Sequence, residues 1–154
     1  MMSECEMVPD VELLGLEGQA IRPSDFRGQK LVVYFYPKDD TSGCTREAQD
    51  FSALAPQFEK EGTWILGVSR DPPEKHRKFI DKHGLRVALA TDPDGSACQA
   101  FGVWVEKNMY GRKYMGIERS TFLIDRDGQI RRIWRKVKVP GHAQDVLEAA
   151  RELS

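Results

Sequence analysis

The run Leu31-Val-Val-Tyr-Phe-Tyr36 is apolar at every position. A strand of this kind has no side to turn toward water, so it must be covered on both faces, as in the centre of an α/β sheet. "TWILGVS" (Thr63–Ser69), "RVALA" (Arg86–Ala90) and "STFLID" (Ser120–Asp125) read as further strands. Between them the apolar spacing changes to that of a helix. Cys44, Ala48, Phe51, Ala55 and Phe58 recur at intervals of four and three, which places them on one helical face. Pro72–His83 opens on prolines, carries charges around Phe79 and Ile80, and meets a helix stop at Gly84. Asp125-Arg-Asp-Gly128 is a turn signal that joins "STFLI" to "QIRRIW" as a hairpin. A last helix is expected over about Ala143–Leu153, with Val146, Leu147, Ala150 and Leu153 inward. Strand–helix–strand–helix, then a hairpin and a helix, is the order of a thioredoxin-like α/β fold.

With 154 residues and neither repeat nor linker, one domain over 1–154 is the reading. A net charge of −1 argues against nucleic acid or an anionic membrane as partner. The basic run Arg131, Arg132, Arg135, Lys136 and Lys138 alternates with Ile133, Trp134 and Val137, as the solvated face of a strand or hairpin would. No apolar stretch approaches the roughly 20 residues of a membrane helix. The start, "MMSECEMVPD", lacks the basic-then-apolar order of a signal peptide, so a cytoplasmic setting is expected. Cys5, Cys44 and Cys98 are an odd, dispersed set without a C-x-x-C pair, which argues against a disulfide framework. His76, His83 and His142 have no zinc-like spacing to them, and no metal is expected.

Cys44 is singled out by its place. Sites in open α/β sheets lie beyond the carboxyl ends of strands, where helices begin. Cys44 follows the strand ending at Tyr36 and falls near the first turn of the next helix. There the helix dipole and free backbone N–H groups favour thiolate over thiol. Thr41 adds a hydroxyl one turn away, and Gly43 removes bulk beside the sulfur. Position alone leaves a packed core thiol and a nucleophile both open.

The segment Pro37-Lys-Asp-Asp-Thr41-Ser-Gly-Cys44 matches P-x-x-x-T-x-x-C, the signature of the peroxiredoxins. The wider "FYPKDDTSGCTREA" resembles the PrxQ subfamily, also called bacterioferritin comigratory protein (BCP). A second block, Phe101–Ile130, is similar to the same subfamily. The resemblance covers nearly the whole chain and implies a thioredoxin-like fold: a central mixed β-sheet flanked by helices, with an N-terminal β-hairpin. It implies a thiol peroxidase acting on hydrogen peroxide and organic hydroperoxides in antioxidant defence, with no cofactor beyond the thiol. A bacterial source is implied as well.

Carried over by position, Cys44 would be the peroxidatic nucleophile. Thr41 would bond its thiolate and orient the peroxide. Arg119 would hold the sulfur charged and help polarise the O–O bond, and Glu47 would pair with Arg119. The Cys44 backbone N–H would be a further donor, and Pro37 would shield the site from water. The subfamily's usual resolving positions hold Gln49 and Gly84 here, so neither usual partner thiol is present. Cys98 reads as a core thiol, whereas Cys5 lies in a tail that could in principle reach a sulfenate. A one-cysteine cycle is expected, with resolution by Cys5 or Cys98 as the alternative, and with thioredoxin, glutaredoxin or glutathione as reductant, in a monomer or a dimer. Two other readings compete. One is a redox sensor or relay that passes oxidation to a partner through a mixed disulfide. The other is a disulfide reductase, which the missing second vicinal thiol disfavours.

Overall fold

Strand β3 (Lys30–Phe35) is buried at all six positions and lies inside a seven-stranded sheet. The computed structural model describes residues 3–154. β3 pairs in parallel with β4 (Thr63–Ser69), and β4 pairs in parallel with β5 (Ala88–Thr91). On its other side β3 pairs antiparallel with β8 (Ser120–Ile124), which pairs antiparallel with β9 (Ile130–Trp134). A short N-terminal hairpin, β1 (Leu13–Leu14) and β2 (Ala20–Ile21), extends the sheet beyond β5. The order β4-β3-β8-β9, with helix α1 (Ser42–Lys60) crossing from β3 to β4, is the thioredoxin-like arrangement expected from the sequence.

The alternation of side chains across β3 divides the interior in two. Val32, Tyr34 and Tyr36 enter a core with α1, Phe79 of α2 (Pro73–His83), and α4 (His142–Glu152). Leu31, Val33 and Phe35 enter a second core with Ala97 and Cys98 of α3 (Ser96–Ala100), Phe101 and Phe122. The expected helical face of α1 is correct in direction: Cys44, Ala48, Phe51 and Phe58 are each at most 2% exposed, and Ala55 is half-buried. α2 stops at Gly84, whose φ of +59° is the left-handed conformation that ends helices. The last strand of the parallel set begins at Ala88 rather than Arg86, because Leu85 to Val87 form the link from α2, with Leu85 and Val87 in the core.

One hairpin has no counterpart in the expectations. β6 (Trp104–Met109) and β7 (Arg112–Ile117) form a separate two-stranded sheet. Its turn, Tyr110-Gly111, has positive φ at both residues (54° and 79°), the handedness that suits a tight hairpin. Its strands are largely exposed and gave no buried alternation to read, while "YG" was the one turn signal present.

Phe51 stacks on Tyr34 at 4.8 Å and tilts against Phe58 at 6.0 Å, so it joins α1 to the central strand. Phe51→Ala should lower unfolding free energy by about 3–5 kcal/mol, measured by urea denaturation. A loss below about 1 kcal/mol would contradict this packing role.

Candidate active site

The site forms where β3 ends and α1 begins. Thr41 is the N-cap of α1 and Cys44 the third residue of its first turn. The first helical bond runs from Thr45 N–H to Thr41 O at 2.8 Å, so the amides of Ser42, Gly43 and Cys44 precede it. These amides and the dipole favour an anion at the position of the sulfur. Cys44 is 2% exposed and packs in the α1–α4 core.

Arg119 reaches this turn from the opposite direction. It directly precedes β8, and its carbonyl accepts a 3.0 Å bond from Val137 N–H. Its Nη2 donates to Cys44 Sγ at 3.3 Å and its Nη1 to Glu47 Oε1 at 2.6 Å. A Cβ on Gly43 would lie 3.2 Å from Nη2, so the glycine leaves the guanidinium room against the helix. Arg119 thus contacts both Cys44 and Glu47, the pairing that the family resemblance implies. The arrangement can hold a thiolate and offer fixed donors to a developing oxyanion.

Other expected members take different places. The Thr41 hydroxyl donates to Lys38 O at 2.9 Å and makes no bond to the sulfur. The turn at Asp39–Asp40 brings that carbonyl within reach, and it takes the hydroxyl. Pro37 lies exposed at the rim of the loop. Cys98 is 0% exposed in the core on the other side of the sheet, and burial against Asp92 pushes its thiol well above the usual range. Stacked layers are about 10 Å apart and a disulfide needs Cα atoms within about 7 Å, so Cys98 does not meet Cys44 without breaking the sheet.

The segment bearing Cys5 is bonded at the opposite end of the sheet from the site. Cys5 N–H donates to Ile130 O at 2.6 Å, and Val8 N–H to Gly128 O at 2.9 Å. These bonds tie it to the β8–β9 turn, at the end of the sheet where Leu31 meets Ile124. The Cys44 end, where Phe35 meets Ser120, lies about 13 Å further along β3. Lys107 of β6 is a group that nothing in the sequence pattern marks. Burial chiefly lowers its pKa and Arg119 adds to this, while the Cys44 sulfur raises it, so its ammonium belongs to the same electrostatic field.

Glu47 is 1% exposed, and its Oε2 has no hydrogen-bond partner among the described residues. Burial pushes its carboxyl from 4.5 up to about 7, against the pull of Arg119. Burial draws nearby His142 the other way, from 6.5 down to about 4. Between pH 7 and 4.5 the folded chain holds a proton at Glu47 that the unfolded chain releases, so this group stabilises more as pH falls. His142 does the reverse: the unfolded chain takes its proton below 6.5 and the folded chain only near 4, so stability falls with pH. The two oppose each other in the intact protein. Glu47→Gln removes the first alone, and should lose about 2 kcal/mol relative to the parent between pH 7 and 5 in urea denaturation. Parallel pH dependences in the two proteins would contradict the buried carboxyl's role.

Comparison with known proteins agrees with this geometry. Residues 5–133 match the AhpC/TSA family. Peroxiredoxin Bcp of Bacillus subtilis is 46% identical over 149 residues, 97% of this chain and 95% of that protein. Peroxiredoxin Bcp of Xanthomonas campestris is 56% identical over 122 residues, 79% of this chain and 76% of that one. Among solved structures, a PrxQ from Xylella fastidiosa superposes with a TM-score of 0.92 at 41% identity, covering 99% of this chain and 97% of its own. The bacterioferritin comigratory protein of Xanthomonas campestris superposes with a TM-score of 0.90 at 46% identity, covering 97% and 98%. The contact of a helix-start thiol with a carboxylate-held arginine thus sits in a chain that belongs to the AhpC/TSA family, as a peroxiredoxin of the PrxQ/BCP type, a thiol peroxidase.

Proposed function

We propose that the chain reduces hydrogen peroxide and organic hydroperoxides at Cys44 and is regenerated by an outside thiol. The observation that carries this is the 3.3 Å contact of Cys44 Sγ with a guanidinium whose other nitrogen is held at 2.6 Å by buried Glu47. The bacterioferritin comigratory protein of Xanthomonas campestris has alkyl peroxide reduction activity, which supports organic hydroperoxides as substrates here.

In the proposed cycle the Cys44 thiolate attacks the terminal oxygen of ROOH. The S–O bond forms as the O–O bond breaks, leaving Cys44–SOH and RO⁻, which takes a proton to become ROH. Arg119 and the free amides of the first turn face the charge that moves from sulfur to the leaving oxygen. Thr41 would join them if its hydroxyl turned from Lys38 O to the peroxide, and Pro37 would cover the rim. One reductant thiol then displaces water to give a mixed disulfide, and a second releases Cys44 as the thiol. Thioredoxin, glutaredoxin or glutathione could supply these thiols in a reducing cytoplasm, where the activity would serve antioxidant defence. The separation of Cys5 and Cys98 from Cys44 supports this one-cysteine route. Because Cys44, Glu47 and Arg119 come from one chain, a monomer would suffice, working as one domain.

A relay function has one observation in its favour, the same lack of a resolving thiol, since a lasting sulfenate suits transfer to a partner. Fast single oxidation with slow turnover under all three reductants would favour it.

Cys44→Ser should abolish peroxide consumption, and Arg119→Ala should slow oxidation by about 10²–10³-fold in stopped-flow measurements. Undiminished peroxide consumption by the serine variant would end the assignment. With one equivalent of peroxide and dimedone, peptide masses should give an adduct on Cys44. A disulfide from Cys44 to Cys5 or Cys98 would overturn the one-cysteine route.

A further inference from the structure

The loop between β3 and α1 carries a buried polar network that the chemistry at Cys44 leaves unused. His76 of α2 is 0% exposed and Asp39 of the loop 7%. His76 Nε2 lies 3.1 Å from Ala90 O, which can only accept, so Nε2 carries a hydrogen. His76 Nδ1 lies 2.7 Å from Asp39 Oδ2, and a contact that short needs one proton between them. Tyr36 donates its hydroxyl to Asp39 Oδ1 at 2.6 Å. Asp39 N–H donates to Asp71 Oδ2 at 2.8 Å, an oxygen that also accepts from the Ser69 hydroxyl. Lys75 reaches the other Asp71 oxygen at 3.7 Å. The ends of β3 and β4, the turn into α2, α2 itself and β5 therefore all meet at Asp39.

The next residue strengthens the attachment. Asp40 has a φ of +60° and bonds both Lys82 Nζ at 2.7 Å and His83 Nε2 at 2.8 Å, again on α2. Helix α1 starts two residues later, at Ser42. Movement of this loop would shift the free amides and the sulfur away from Arg119.

Resting on the reading of Cys44 as the nucleophile, we propose that Asp39 and His76 form a proton-sharing clamp that positions the first turn of α1 for reaction with peroxide. They are positioning residues, and neither touches the sulfur. Burial makes the clamp stringent, because a charge left on either partner alone would lose its direct counter-charge away from water.

Two variants of the full chain test this. In Asp39→Asn the amide oxygen still accepts from Tyr36, and the amide N–H can donate to the Nδ1 of a neutral imidazole. Once His76 takes a second proton, two donors face each other and the bond to residue 39 is lost, leaving Nδ1 only the Tyr36 hydroxyl oxygen at 3.3 Å. The ratio of variant to parent oxidation rate should therefore fall about tenfold between pH 8 and pH 5. In the parent, the carboxylate matches the imidazolium. His76→Ala should oxidise at least about tenfold more slowly at every pH. Its Cys44, identified by peptide mass, should react several-fold faster with iodoacetamide, because the turn that buries it is loosened.

A ratio for Asp39→Asn that stays flat from pH 8 to 5 overturns the clamp, as does parent-like oxidation of folded His76→Ala. If His76→Ala does not fold, the Asp39→Asn profile decides alone. If the parent itself consumes no peroxide, the peroxidase reading fails, and the pH dependence of the iodoacetamide ratio still tests the clamp.

Discussion

A guanidinium bridges a sulfur and a buried carboxylate, and much of the surrounding architecture serves to keep it there. Arg119 could not hold its position alone on a flexible side chain. Glu47, fixed in the first turns of α1, takes one of its nitrogens at 2.6 Å and leaves the other directed at Cys44. Burying that carboxylate is costly, as its raised pKa indicates, and the nearby arginine returns only part of the cost. What the pair gains is a fixed geometry at the point where charge moves during reaction. Gly43 contributes by having no side chain where the guanidinium passes.

The two-sided burial of β3 has a second effect. Because alternate side chains enter different cores, the sheet assigns its buried thiols to separate compartments. Cys44, on α1, lies in the core it shares with α4, and Cys98, on α3, lies in the core on the other side of the sheet; the same sulfur chemistry meets a cation in one place and a carboxylate in the other.

The sequence made the sheet centre and the α1 face legible because both rest on strong periodicity: an unbroken apolar run and a three-four spacing. The Cys44–Arg119 pairing was legible only through a family motif, since the two residues are 75 apart and no local pattern joins them. The β6–β7 hairpin escaped because its strands are mostly exposed and carry no buried alternation. The Asp39–His76 contact escaped for another reason. An aspartate in a charged loop and a histidine in a charged helix each look like solvated surface until the fold brings them together. Thr41 shows the opposite limit, where the residue is where the motif puts it but its hydroxyl is taken by a nearby carbonyl.

The pinning of the N-terminal segment to the β8–β9 turn bears on how such a chain would age in use. On the proposed one-cysteine route, the lifetime of the Cys44 sulfenic acid would be set by the concentration of thiols outside. A second peroxide competes with those thiols for the same sulfur, and its product, the sulfinic acid, is not returned by simple thiols. The ratio of peroxide to thiol around the molecule then sets how many turnovers a chain completes before it is silenced. On that route, the bond from Cys5 N–H to Ile130 O would make the molecule a recorder of its surroundings as well as a catalyst.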